Sequence, residues 1–125
     1  MEKFRILIVE DNDAYRKSLR DALQKSFPEI AIDEATNGRE ALQKVDPFPP
    51  NLIFMDIRLH DEKNGLELTK EIKTTHPNIH VVILTYCDMP EYRTAASEYG
   101  VEGFLVKASL GQKELEELVK SYQKV

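Results

Sequence analysis

The sequence predicts an α/β domain built on a parallel sheet, and three observations carry that prediction. Apolar runs alternate with stretches of helical period about five times along the chain, the pattern of repeated β-α units joined by right-handed crossovers. Four of the five runs are almost continuously apolar, as strands covered on both faces must be. The runs also end in reactive side chains: Arg5-Ile-Leu-Ile-Val9 stops at Glu10 and Asp11, Asn51-Leu-Ile-Phe-Met55 at Asp56, His80-Val-Val-Ile-Leu84 at Thr85, and Gly103-Phe-Leu-Val106 at Lys107. In a parallel sheet all carboxyl ends share one edge, where the ligand sites of open α/β sheets form. Three carboxylates, one hydroxyl and one amine are therefore expected to converge there.

In chain order, strands are expected near residues 4–9, 30–35, 51–55, 80–85 and 103–106. The second, Ile30-Ala-Ile-Asp-Glu34, is more polar than the others and is placed at an edge. The first helix begins near Asn12-Asp13, either of which can cap it, carries Tyr15, Leu19, Ala22, Leu23 and Phe27 at helical spacing, and is ended by Pro28. The second runs from about Gly38 with Ala41, Leu42 and Val45, and Pro47 closes it. The third carries Leu66, Leu68, Thr69 and Ile72 up to Pro77. A fourth opens at Pro90, holds Tyr92, Ala95, Ala96 and Tyr99, and stops at Gly100. The last has Leu110, Leu115, Leu118, Val119 and Tyr122. These periodic faces are core.

At 125 residues the chain is expected to form one domain, residues 1–125, able to bury roughly two thirds of its unfolded surface. Hydrophobic residues at 42% and charged residues at 31% exclude collagen-like and disordered classes. No apolar stretch approaches the roughly 20 residues that cross a bilayer, and Met1-Glu2-Lys3-Phe4 leads straight into a strand without room for a signal peptide, so a cytoplasmic location and no membrane contact are expected. Cys87 is the only cysteine, which leaves neither a disulfide framework nor a thiolate metal cluster. A net charge of −5 with no Lys/Arg run argues against direct nucleic-acid binding by this chain.

Glu10, Asp11 and Asp56 supply several hard oxygen donors in one small volume, the donor type Mg²⁺ favours. A divalent cation also relieves the repulsion among such carboxylates. Acidic loop residues are commonly just solvated, yet that account leaves the agreement among four strand ends unexplained. Asp56 leaves the centre of the sheet and can act as a nucleophile toward phosphorus, forming an acyl phosphate. Lys107 is suited to hold the phosphoryl group as a point charge, and Thr85 to donate its hydroxyl to a phosphate oxygen. Taken singly, Lys107 also reads as a strand-end lysine and Thr85 as a β-branched strand residue.

The chain resembles the receiver domain of two-component response regulators. The resemblance is carried by Val9-Glu10-Asp11-Asn12, Phe54-Met55-Asp56-Ile57, Asn64-Gly65-Leu66-Glu67-Leu68, Leu84-Thr85 and Gly103-Phe104-Leu105-Val106-Lys107, in the family's order and spacing. It implies a flavodoxin-like (βα)5 three-layer sandwich with a five-stranded parallel sheet of order 2-1-3-4-5. Asp56 would be the phosphoacceptor, Glu10 and Asp11 the acidic pair that positions Mg²⁺, and the backbone carbonyl of Arg58 a further metal ligand. Thr85 and Lys107 would act in phosphoryl transfer, and Thr85 and Phe104 would form the switch. Residues Leu84 to Tyr92 look like the NarL/LuxR-type subclass, whose full-length members carry a DNA-binding domain after the receiver. The resemblance further implies a sensor histidine kinase as partner, a homodimer on activation, control of transcription, and no enzymatic activity beyond the domain's own phosphoryl transfer and dephosphorylation.

Departures from the family's pattern fall near the site. Leu59-His60 stand where the family commonly reads Met-Pro, and Gly65 arrives about one residue late, so a longer loop after the third strand is expected. Tyr86 stands where most relatives carry a small residue, so its ring is expected to restrict access by water or small phosphodonors; the competing expectation has Tyr86 pointing outward along the fourth helix. Ala108 replaces a frequent proline, and a trans bond at Lys107-Ala108 is expected because a cis one costs about 2.5–4 kcal/mol. His60, His76 and His80 are not spaced as a metal set. Two competing readings stand beside the receiver. One is a Mg²⁺-dependent phosphatase passing through an aspartyl phosphate, disfavoured because Arg58 occupies the place of the second aspartate. The other is a receiver-like interaction module that works without phosphorylation.

Overall fold

The computed structural model describes residues 3–59 and 63–123. Strands β1 (Arg5–Val9), β2 (Ala31–Ala35), β3 (Leu52–Met55), β4 (His80–Thr85) and β5 (Gly103–Val106) alternate with helices α1 (Asp13–Ser26), α2 (Gly38–Val45), α3 (Gly65–Thr75), α4 (Pro90–Glu98) and α5 (Gln112–Gln123). All pairings are parallel, in the order β2-β1-β3-β4-β5. The polar second strand is at an edge, as its composition predicts.

Side chains alternate across the pleat. Leu7, Val9, Ile53, Met55, Val81 and Ile83 pack on one face with Ala41 and Val45 of α2, Leu68 and Ile72 of α3 and Ala96 of α4. Ile6, Ile8, Leu52, Phe54, Val82 and Leu84 pack on the other with Leu19 and Leu23 of α1 and Leu115 and Val119 of α5. Right-handed crossovers produce this division. The chain steps from β1 outward to β2, then returns past β1 to β3 and continues the opposite way, so the loops after β1 and β3 part at a topological switch point.

Asparagines start three of the helices. Asn12 Oδ1 accepts from the Tyr15 amide at 2.9 Å, Asn37 Oδ1 from the Glu40 amide at 2.8 Å, and Asn64 Oδ1 from Leu66 and Glu67 at 2.9 and 3.0 Å. Glu67 reaches back to the Asn64 amide at 3.3 Å, completing a capping box. Pro90 opens α4, and Gly100, at φ 84°, ends its turn in the left-handed region. The Lys107-Ala108 bond is trans. The end of the chain corrects one expectation. Leu110 does not belong to the last helix: a single 3-10 turn, Lys107–Ser109, follows β5, Leu110 is extended at φ −75° and ψ 122°, and α5 starts at Gln112. Leu110 still packs against the α1/α5 core, so its apolar character reported burial and not helical register. The altered loop at His60 lies outside the described residues.

Gly65 holds α3 against the site. Its amide donates to the Ile57 carbonyl at 2.8 Å, and a Cβ there would lie 1.8 Å from the Asp56 carbonyl oxygen. Because the obstacle is backbone, a side chain forces the strand end and helix start apart, a change of the overpacking kind that costs about 1–3 kcal/mol. Gly65→Ala is expected to lose stability of that order in urea denaturation; a loss of a few tenths would contradict the contact.

Candidate functional site

Strand register brings the site together. Val9 pairs with Met55, so Glu10 and Asp56 leave the sheet side by side, with the Asp56 amide donating to the Val9 carbonyl at 3.1 Å. Thr85 pairs with Val106, which puts Lys107 one residue past the end of β5. Two strand spacings, roughly 10 Å, separate β5 from β3, a distance that the lysine stem, the aspartate side chain and the hydrogen bond between them cover together. Lys107 Nζ reaches Asp56 Oδ2 at 3.1 Å and also donates to Glu10 Oε1. The extra methylene of a glutamate over an aspartate helps Glu10 meet it.

These three groups are buried: Glu10 is 3% exposed, Asp56 6% and Lys107 8%. Glu10, Asp11 and Asp56 each place a carboxylate oxygen within 4.8 Å of the others. They form the floor of a cleft of about 690 Å³ whose walls are Asn12, Ala14, Tyr15, Arg58, Tyr86 and Lys107. Convergent carboxylate oxygens in a half-open cleft suit a hard cation that keeps part of its water shell. The predicted carboxylates and amine are thus together. Arg58 is exposed at the rim.

Thr85 and Phe104 sit apart from that floor. Thr85 ends β4 fully buried, and its hydroxyl oxygen accepts from the Cys87 amide at 3.2 Å. Phe104 is half-buried against the α2/α3/α4 core, with the Arg93 guanidinium 4.5 Å over its ring and Arg93 Nε held by Asp88 at 2.6 Å. Tyr86 does not follow α4 outward. Its ring faces the cleft, 5.1 Å from Lys107 Nζ and 6.3 Å from the ring of Tyr15.

Sequence reasoning missed Tyr15 and Arg16. Helical spacing with Leu19 assigned Tyr15 to the core, and its half-buried ring does pack against the α1/α5 core, but the same ring also lies 4.2 Å from Lys107 Nζ. The available signal was its place in the first turn of α1, three residues after the Asn12 cap, which keeps it near the end of β1. Arg16 braces the acidic loop: Nη1 donates to the Glu10 carbonyl at 2.9 Å, Nε to Glu34 at 3.1 Å and Nη2 to Asp13 at 2.6 Å. The Asn12 amide adds a hydrogen bond to Glu10 Oε2 at 3.1 Å.

Burial dominates the electrostatics. It pushes Glu10 up to about 7, with the Asp56 charge acting the same way and Lys107 and the Asn12 amide opposing. For Lys107 burial acts downward, but the hydrogen bond to Glu10 and the charges of Asp56 and Glu10 outweigh it and hold the ammonium above its ordinary range. Burial and the nearby Tyr86, Glu10 and Asp56 push the Tyr15 phenol up to about 12, so it keeps its proton at neutral pH.

A buried carboxylate beside an acidic pair and a buried lysine, at the switch point of a 2-1-3-4-5 sheet, defines a receiver-type domain. Residues 6–120 match the response regulator receiver domain family, and the chain belongs to it. It is 36% identical over 103 residues to the chemotaxis protein CheY of Thermotoga maritima, covering 82% of this chain and 84% of that protein. It is 29% identical to the response regulator GacA of Pseudomonas viridiflava over 84% of this chain and 49% of GacA, so it spans about half the length of that relative. Among solved structures, a LuxR-family DNA-binding response regulator from Staphylococcus aureus superposes with a TM-score of 0.86 at 26% identity, covering 95% of this chain and 98% of that one. A signal receiver domain of a DNA-binding response regulator from Colwellia psychrerythraea gives 0.90 at 25% identity, covering 98% and 100%.

The raised Glu10 carries a pH signature. A group that holds its proton more tightly folded than unfolded contributes stability that is complete below its unfolded value, here 4.5, and lost as the pH rises through its folded value, about 7. In metal-free buffer the stability of the wild type relative to Glu10→Gln is expected to fall across that window. Parallel stability curves for the two proteins would contradict it.

Proposed function

We propose that the chain is a phosphorylation-controlled switch in which Asp56 accepts a phosphoryl group from the phosphohistidine of a sensor histidine kinase. The carrying observation is the Asp56 carboxylate on the floor of the cleft, hydrogen-bonded to a buried lysine and flanked by two further carboxylates. In the transfer an Asp56 oxygen bonds to phosphorus while the bond from phosphorus to the donor imidazole nitrogen breaks, and the nitrogen keeps the electron pair. Glu10, Asp11, Asp56 and the Arg58 carbonyl would hold Mg²⁺, which neutralises charge on the transferring group. Lys107, already beside Asp56, would pair with a phosphoryl oxygen.

The new charge, about −1.5 to −2 by analogy with other phosphorylated side chains, would compete for the hydroxyl of Thr85, now bonded to the Cys87 amide. Movement of Thr85 toward the phosphoryl group vacates space that Phe104 can take, which alters the α4-β5-α5 surface presented to a partner or a second copy of the chain. The likeness to GacA and to the LuxR-family regulator supports an output through a DNA-binding domain, and with it transcriptional control in the cytoplasm. On this reading the chain catalyses only its own phosphoryl transfer and dephosphorylation.

Treatment with acetyl phosphate and Mg²⁺ is expected to raise the intact mass by one phosphoryl group, and Asp56→Asn to abolish the gain. A gain that persists in the variant would refute the assignment, and no gain in the wild type would favour an interaction module that works unphosphorylated. Metal binding is expected to need Asp11 together with Asp56, because one surface carboxylate does not offset the dehydration of Mg²⁺. Calorimetric titration of wild type and Asp11→Asn measures this, and equal affinities would remove the cluster as the metal site.

A further inference from the structure

The Arg16 side chain is only 14% exposed, deep for an arginine on a surface helix, and its guanidinium divides its donors among three partners. Nη1 donates to the Glu10 carbonyl, Nε to Glu34 and Nη2 to Asp13. The Glu10 carbonyl belongs to the peptide unit that joins Glu10 to Asp11, and that unit is planar. Holding its oxygen therefore limits the directions in which the Asp11 side chain can leave the loop. The far end of the brace is rigid. Glu34 pairs with Ile8 within the sheet, and Arg20 donates to its second carboxylate oxygen. The Glu10 amide is tied to the same edge strand, donating to the Ala35 carbonyl at 3.0 Å. Arg16 itself does not line the cleft.

We propose that Arg16 is a positioning residue for the divalent cation of the cleft: by fixing the peptide unit between Glu10 and Asp11 against the edge strand, it keeps the Asp11 carboxylate within reach of Asp56 and so sets the affinity for Mg²⁺. The inference rests on the metal reading of the cluster given above. An unbraced loop has to be ordered when the ion binds, and that cost is subtracted from the affinity. Charge alone predicts the opposite sign. A guanidinium beside three carboxylates repels an incoming cation, so its deletion on that ground tightens binding. Positioning and charge are thus told apart by the direction of the change. A lysine at this place keeps the charge but replaces the fork with a single point donor, which cannot hold the Glu10 carbonyl and Glu34 together in fixed geometry.

The test is calorimetric titration of Mg²⁺ into the wild-type chain, Arg16→Ala and Arg16→Lys at neutral pH, with circular dichroism to show that each is folded. Arg16→Ala is expected to bind about tenfold more weakly, the low end of what loss of an outer partner costs a metal site. Arg16→Lys is expected to fall between it and the wild type although its charge is unchanged, and it decides alone if Arg16→Ala does not fold. A second readout separates positioning from general damage: the rate of loading by acetyl phosphate, followed by intact mass against Mg²⁺ concentration. Arg16→Ala is expected to need about tenfold more Mg²⁺ for half its maximal rate and to reach the wild-type rate at saturation, where the bound ion orders the loop. Equal or tighter binding by Arg16→Ala, wild-type affinity in Arg16→Lys, or a saturating rate that stays low would each overturn the positioning role. Absence of Mg²⁺ binding by the wild type would instead remove the cluster as the metal site, and the inference with it. Failure of the wild type to gain mass while it still binds Mg²⁺ would overturn the phosphoacceptor reading and leave the titrations to decide on Arg16.

Discussion

One buried ammonium among three carboxylates is the constraint around which this domain is arranged. Lys107 Nζ bonds both Glu10 and Asp56, and Asp11 brings a further carboxylate oxygen to the same place. Removing one partner of a buried ion pair costs about 3–5 kcal/mol, because the other charge is left without compensation. The fold accepts the cluster because its parts come from three different strand ends and meet only when the sheet is in register. Even so, one amine cannot balance three carboxylates. Burial, reinforced by the Asp56 charge, raises Glu10 to about 7 against the pull of Lys107, which marks the cluster as a place that gains from added positive charge.

The rest of the structure supports this arrangement from outside. Arg16 ties the Glu10 backbone to Glu34 at the edge strand, while Gly65 lets α3 start in contact with the Asp56 backbone. Tyr15 and Tyr86 cover Lys107 from the solvent side. Family membership accords with this layout, and the match to residues 6–120 spans every strand and helix that contributes to it. Thr85, at the end of the neighbouring strand β4, and Phe104, on β5, flank this arrangement.

Much of this was legible in the sequence because strand chemistry is local. Continuous apolar runs such as Leu52–Met55 announce strands covered on both faces, and the residue after each run lies at the carboxyl edge, which places Glu10, Asp56 and Lys107 there from residue order alone. Two helix starts were equally readable, since the Asn12 cap and Pro90 act within a few residues. What escaped depends on packing between elements. Tyr15 has the spacing of a core residue, and only the placement of α1 over the end of β1 turns its ring toward Lys107. Leu110 has the polarity of a helix residue but packs from an extended segment. The sealing of the Thr85 hydroxyl by Cys87 is set by the turn after β4, which residue types alone do not specify.

If Lys107 serves as the resident counter-charge of the acidic cluster, it competes with a divalent cation for the same oxygens. Calorimetric titration of Mg²⁺ into wild type and Lys107→Met at neutral pH measures that competition. Tighter binding by Lys107→Met, whose carboxylates have lost their cation, is the expected result. Equal or weaker binding would show that Lys107 and the metal do not share the cluster, and would contradict the account of the site given by its charges.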